Sequence, residues 1–422
     1  MEKIVILLLL TVLLTGCSST KRRLAKKIDA HIKTVENNHQ FTGFLLINAA
    51  TQDTLYSCNS TKYFTPASNT KIYTLFTALR LLPDHIPTLK YVISNDTLYI
   101  QGTGDPSALH PYLKDSTALH FLKDYTNIAL YSNNFRDEKF GPGWAWDDYQ
   151  YYYSPERSGF PLYGNVVTIE NSDTLNIQPD YFKDSILPIS YALNRDRKKN
   201  YFYFDTSKKD TIVIPFIVDS SLTRKLLEKS LQIKIYSTDK MPVDNMKVLY
   251  GMPADTVYKR MMQVSDNFLA EQLLVLASAT LSDTLSSERA RQFVLENHLS
   301  DVRQPPRWVD GSGLSRYNLF TPESIVHVLQ KLYLEIPQER LLQFFPAGGE
   351  SGTLEDWYPG NPAPYLYAKT GSLSNNHCLS GYLITKSGKT LIFSFMNNHF
   401  MEHPNEVKKR MQTIFEKIRD NY

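Results

Sequence analysis

Strand-like runs stand at both ends of this chain, with helical runs between them, and that arrangement limits the folds open to it. Toward the N-terminus, "FTGFLLINAATQDTLYSC" places two apolar runs on either side of "AATQD". Toward the C-terminus come "PYLYAKTG", "CLSGYLIT" and "TLIFSFMNN", with "KSGK" at 386–389 turning between the last two. A lone hairpin is marginal in water, so the two ends are expected to share one sheet. "ADTVYKRMMQV", "FLAEQLLVLASATL" and "ESIVHVLQKLYL" have helical texture, and a last helix is predicted over roughly Pro404 to Asp420. Between residues 84 and 245 short runs such as "LKYVIS", "TLYIQG", "NVVTIE" and "TIVIPFIV" alternate with turns; "SND" and "TSKKD" read as hairpin turns. The expectation is an α/β domain in two parts, 39–83 and 246–422, split by a β-rich insertion over 84–245.

The N-terminus reads as a leader. "MEKIVILLLLTVLLTGC" carries Lys3, an apolar core from Ile4 to Leu14 and then small residues, too short a core to span a bilayer as a mature helix. "LTGC" resembles a bacterial lipobox, which implies acylation of Cys17 and a membrane lipid anchor. Ser18 follows instead of an aspartate, which favours a periplasmic protein held at the outer membrane. Residues 18–38 are then a linker and an N-terminal helix, and "KRRLAKK" could touch anionic headgroups or form a solvated helix face. A net charge of +3 on 422 residues gives no reason to expect a nucleic acid partner. The scattered histidines and three cysteines show no metal-ligand spacing, so no metal or cofactor is expected; an oxidising compartment would permit Cys58 and Cys378 to pair.

"TPASNTKIYT" opens the first predicted helix. Ser68 and Lys71 are one turn apart and share a face, and Ile72, Leu75, Phe76, Leu79 and Leu82 continue at helical spacing until Pro83. The pair can be a capping serine with a solvated lysine, or a nucleophile with its base. Ser18/Lys21 and Ser237/Lys240 repeat the spacing, one in a polar linker and one in a turn-rich segment, so only Ser68 opens a buried-looking helix. "SDN" at 265–267 offers a hydroxyl and an amide between two helices, and "KTG" at 369–371 a cation and a hydroxyl on a strand. "GTGDP" at 102–106 lacks the lysine and serine of a phosphate loop and reads as a tight turn. The aromatics of "WAWDDYQYYYS" could stack on sugars, although tyrosines packed in the insertion are the plainer reading.

Ser-x-x-Lys, Ser-Asp-Asn and Lys-Thr-Gly, in that order and those settings, resemble the three motifs of the penicillin-binding proteins and serine β-lactamases. "SDNFLAEQLL", "DGSGLSRYNLFTP", "GGESGTL" and "AKTGSL" narrow the resemblance to the class C low-molecular-mass penicillin-binding proteins, D-alanyl-D-alanine carboxypeptidases and DD-endopeptidases. Residues 180–245 depart from that pattern, and Ser372 stands where threonine is common. The resemblance implies a transpeptidase-type antiparallel sheet flanked by helices, with peptidoglycan peptides as substrates and β-lactams as covalent inhibitors. It makes Ser68 the nucleophile, Lys71 the base and Ser265 a proton relay. Asn267 would bind the substrate amide, Lys369 and Thr370 its terminal carboxylate, and the N–H groups of Ser68 and Ser372 would form the oxyanion hole. A β-lactamase is the first alternative; the class A Glu-x-x-Leu-Asn element is missing and the large insertion is foreign to that class. An idle wall-binding lipoprotein is the second, and it would need no nucleophile.

Overall fold

In the first strand, Phe41–Asn48, seven of eight residues are buried, which requires packing on both faces of its sheet. The computed structural model, which describes residues 21–32 and 39–422, shows how this is met. Five antiparallel strands run in the order Leu366–Leu373, Asn376–Ile384, Thr390–Asn398, Phe41–Asn48, Thr54–Cys58. The two ends of the chain meet at Phe41–Asn48 and Thr390–Asn398, with Phe44 opposite Phe395. Side chains alternate across this sheet. Phe44 and Leu46 join Phe393, Phe395 and Phe415 under the C-terminal helix Pro404–Asn421. Leu45 and Ile47 face a helical layer through Ile72, Phe76, Leu273 and Ile325. That layer holds the helices Lys71–Leu81, Asn267–Ser278 and Pro322–Glu335.

The basic run near the N-terminus belongs to a docked helix. Residues 21–32 are helical; Leu24, Ile28 and Ile32 pack into the layer under Phe415, while Lys21, Arg22, Arg23, Lys26 and Lys27 stay exposed. It is the solvated face of a structural element and not a linker. Cys17 and Ser18 lie outside the described residues, and among those described no helix is long and apolar enough to cross a membrane.

The insertion contains more helix than its strand-rich texture suggests. Its main sheet has the order Ile235–Thr238, Ile128–Tyr131, Thr97–Gly102, His85–Ser94, Lys247–Pro253, and Ile128–Tyr131 is parallel to both neighbours; the last of these strands lies past residue 245, so the insertion runs to Pro253 and not to 245. Parallel pairs need crossover connections, and the helices Thr117–Lys123 and Ser220–Leu231 lie on those crossovers. Ser237 therefore sits on a strand, not in a turn-rich segment. "SND" does turn a hairpin, with φ of +48° at Asn95 and +57° at Asp96. "TSKKD" does not: the flanking strands Phe202–Tyr203 and Asp210–Pro215 belong to different sheets. Cys378 is buried with a free thiol, whose pKa burial pushes up to about 12.

"GTGDP" is a structural turn that fixes the insertion on the helical layer. Thr103 Oγ1 donates to Pro87 O at 2.6 Å, and Gln272 Nε2 on the helix Asn267–Ser278 donates to Gly104 O at 2.9 Å. Gly104 has φ +90°, and a Cβ there would stand 2.7 Å from Val275 Cγ1.

Candidate active site

Ser68 lies in a short 3-10 turn, Ala67–Thr70, that feeds the helix Lys71–Leu81. Two contacts set the turn. Asn69, fully buried, donates through Nδ2 to Lys369 O at 2.8 Å and accepts from Ser380 Oγ at 2.6 Å. Gly371 lies beneath it; a Cβ there would come within 2.4 Å of Pro66 O. The turn is thus clamped to Leu366–Leu373, the edge strand of the central sheet. An edge strand keeps one row of N–H and C=O groups out of the sheet ladder.

Lys71 Nζ donates to Ser68 Oγ at 2.9 Å, to Asn267 Oδ1 at 2.7 Å and to Ser312 O at 2.7 Å. Two of these partners can only accept. When Lys71 loses a proton, its two remaining N–H bonds are held by Asn267 and Ser312, and the lone pair is left facing the Ser68 hydroxyl. Complete burial lowers the Lys71 pKa to about 8, against the opposing pull of the Asp310, Glu271 and Asp266 carboxylates.

Ser265 occupies the loop between Ala254–Gln263 and Asn267–Ser278, at φ +59°. Asp266 caps the second helix through Leu269 N, which aims Asn267 inward from the first turn. Asn267 Nδ2 also donates to Tyr153 O at 3.0 Å. Both ends of this amide are engaged by the protein, so Asn267 orients Lys71 as well as facing the cleft.

Lys369 Nζ donates to Ser265 Oγ at 2.8 Å and to Thr370 O at 2.9 Å, leaving one N–H without a partner among the described residues. Burial and the Lys71 charge hold its pKa well below the usual lysine range. Its motif lies inside the strand Leu366–Leu373 and not at the strand's end. Thr370 Oγ1 donates to Thr353 Oγ1 at 2.8 Å, and Ser372 Oγ is 3.0 Å from His377 Nδ1. Ser68, Ser265, Asn267, Thr370 and Ser372 line one open cleft of about 940 Å³, with the two lysines buried beneath its floor.

Behind Lys71 stands a charged cluster that the motifs do not include. Glu271 is fully buried; one oxygen accepts from Ser312 N at 2.7 Å and the other is 3.1 Å from Arg157 Nε. Arg157 also faces Asp137 at 3.3 Å. Burial raises the Glu271 pKa while the Arg157 guanidinium opposes it. Asp310 shapes the 310–315 loop by accepting from Gly313 N at 2.9 Å and Ser315 N at 2.6 Å. Sequence reasoning passed over Glu271, Arg157, Ser312 and Thr353. Glu271 had a signal: it is a carboxylate inside the apolar run "FLAEQLLVL", where every helical face is greasy.

Comparison with known proteins fits this geometry. A family model described as the D-Ala-D-Ala carboxypeptidase 3 (S13) family matches residues 24–198 and 216–418. The chain belongs to this S13 family. The unmatched stretch falls inside the segment, residues 180–245, where the motif pattern lapses. Among curated relatives, the D-alanyl-D-alanine carboxypeptidase DacB of Haemophilus influenzae is 22% identical, over 85% of each chain. The D-alanyl-D-alanine carboxypeptidase of Actinomadura sp. is 24% identical, over 89% of this chain and 81% of its own. Penicillin binding protein 4 of Haemophilus influenzae shares the fold with a TM-score of 0.68 at 19% identity, over 90% of this chain and 95% of that one. The protein is a serine-type D-Ala-D-Ala carboxypeptidase with the penicillin-binding protein fold.

Proposed function

We propose that Ser68 is the nucleophile, that its acyl-enzyme is also formed by β-lactams, and that the enzyme cuts both terminal D-Ala and D-Ala cross-links in peptidoglycan. The observation that carries this is the bonding of Lys71, whose only hydrogen-bond partner among the described residues able to give it a proton is Ser68. Lys71 takes the proton as Ser68 Oγ attacks the carbonyl of the penultimate D-Ala. Ser265 relays to the leaving amine the proton that Lys71 took up, ending as a hydroxyl again with Lys71 neutral; its oxygen accepts from Lys369, so its O–H is free to point at the substrate. The N–H groups of Ser68 and Ser372 receive the oxyanion, a donor of this kind being worth about 3 kcal/mol of barrier. Water then hydrolyses the ester.

Lys369 and Thr370 read the carboxylate α to the scissile nitrogen. Terminal D-Ala and the D-centre of a diaminopimelate cross-link both present that group, so the cation discriminates weakly between them and only the steric limit of the pocket can; the openness of the cleft supports access by the larger substrate. A Haemophilus influenzae penicillin binding protein 4 of this fold, with a TM-score of 0.62, was solved with a β-lactam bound, which supports the inhibitor reading. We further propose a Cys17 lipid anchor and a periplasmic location at the outer membrane, supported by the lipobox-like "LTGC".

Mass spectrometry of pentapeptide monomers and cross-linked dimers tests the reaction. Release of D-Ala with dimers left intact would reject the endopeptidase half. Unlabelled Ser68→Ala beside labelled wild type, with fluorescent penicillin, is the expected inhibitor result. Cys17→Ala should leave the membrane fraction or remain unprocessed.

A further inference from the structure

The aromatic run "WAWDDYQYYYS" has a use that its packing does not explain. Trp146 is 68% exposed and Tyr152 69%, while Tyr149 and Gln150 between them are buried. The segment is firmly held. Trp144 Nε1 donates to Asp310 Oδ2 at 2.8 Å, and Gln150 Oε1 accepts from Asn194 N at 2.8 Å. Arg197, on the neighbouring loop, lies with its guanidinium carbon 4.3 Å from the centre of the Trp146 ring. Large apolar rings held rigidly in water mark an interaction surface.

This ridge continues the catalytic cleft. Ala145, Asp148, Tyr152 and Tyr153, on either side of Trp146 in the chain, line the same cleft as Ser68. Tyr153 O accepts from Asn267 Nδ2, so the ridge adjoins the Asn267 side of the site. With the leaving group at Lys369, the acyl-donor peptide runs past Asn267 toward the ridge. A stem peptide has about three residues and a lactyl link between its penultimate D-Ala and the amino sugar, which is roughly 13 Å of extended chain. The sugar therefore emerges at the rim of the cleft and not inside it. Its C–H faces suit an aromatic plane, and its hydroxyl and acetamido groups suit the adjacent guanidinium and carboxylates.

We propose that the Trp146–Arg197 ridge binds the amino-sugar strand that carries the stem peptide, so that the enzyme prefers glycan-linked peptides over free ones. This rests on the peptidoglycan hydrolase reading above. The test measures kcat/KM for D-Ala release from disaccharide-pentapeptide and from free pentapeptide, for wild type, Trp146→Ala and Arg197→Ala. Wild type should prefer the glycan-linked substrate by about tenfold through KM, the worth of roughly 55 Å² of apolar ring face covered by the sugar. Trp146→Ala should bring the ratio near one without changing kcat/KM on free pentapeptide or the rate of penicillin acylation. An unchanged ratio in both variants, or a wild-type ratio of one, overturns the proposal. A second readout does not depend on catalysis: peptide-free glycan strands should quench tryptophan fluorescence in wild type and less in Trp146→Phe. If neither peptide is hydrolysed yet quenching follows this pattern, the hydrolase reading fails and the ridge stands. If glycan leaves the fluorescence unchanged and Trp146→Ala instead abolishes self-association, the ridge belongs to a second copy and the proposal falls.

Discussion

The pH dependence of acylation follows from the burial of Lys71. An ordinary lysine at 10.5 is neutral in roughly three molecules per ten thousand at pH 7, whereas one at about 8 is neutral in roughly one in ten. Burial thus enlarges the population of competent base by roughly 300-fold, or about 3 kcal/mol. With β-lactam saturating, so that the inhibitor carboxylate already neutralises Lys369, the acylation rate should rise tenfold per pH unit below 8 and level off above it. Glu271 supplies the test of cause. Its carboxylate accepts from Ser312 N while Lys71 donates to Ser312 O, so one residue's backbone joins them, and it is one of the charges that hold the pKa up. At a separation of roughly 8 Å and an effective dielectric near 20, a full charge is worth about 2 kcal/mol, and Arg157 cancels part of that. Glu271→Gln, which still accepts from Ser312 N, should therefore move the inflection to lower pH by up to about one unit. Stopped-flow acylation between pH 6 and 9.5 measures both profiles. A rate independent of pH, an inflection near 10.5, or a profile that Glu271→Gln leaves in place or shifts upward would refute this account of the base.

Other expectations are more direct. Ser68→Ala should abolish penicillin labelling at unchanged melting temperature, while Ser237→Ala labels like wild type. Gly371→Ala should cut acylation by more than tenfold, measured with fluorescent penicillin, because its Cβ presses on Pro66 O and the Asn69 amide and moves the nucleophile turn. Arg157→Met should lower stability by about 3–5 kcal/mol in urea titrations by leaving the buried Glu271 unpaired. Both buried lysines have folded pKa values below their unfolded ones. Between about pH 8, set by Lys71, and 10.5 the unfolded chain therefore holds more protons than the folded one, and stability should increase with pH over that window. Calorimetry of wild type against Lys71→Met should show this gain reduced in the variant.

What the sequence disclosed depended on how local each signal was. The three motifs were legible because each is a short run in a recognisable setting, and the sheet shared by both ends because its strands are long and apolar. The parallel pairing of Ile128–Tyr131 was not, because four residues, three of them buried, carry no mark of strand direction. The helix Ser220–Leu231 had its signals, an Asp219 cap and leucines at 222, 226, 227 and 231, but they follow the strand-like "TIVIPFIV". The exposure of Trp146 and Tyr152 ran against the packed reading of the aromatic run, since composition does not tell which face of an irregular segment meets water. Arg157 could not be found at all: its partners Asp137 and Glu271 come from distant parts of the chain and meet only in the fold.

The union of the first long strand with the last has a consequence for biosynthesis. Phe44 and Phe395 are neighbours in space but far apart along the chain. The insertion closes on itself, since His85–Ser94 pairs with Lys247–Pro253, and it can mature while synthesis or export continues. The catalytic sheet cannot, because Lys369 and its edge strand arrive only with the last segment, and pairing over so long a loop is slow. A chain truncated before that strand therefore holds Ser68 without the strand that aims it, and the paired Ser68–Lys369 site comes into being only once the strand has been made and joined to the sheet.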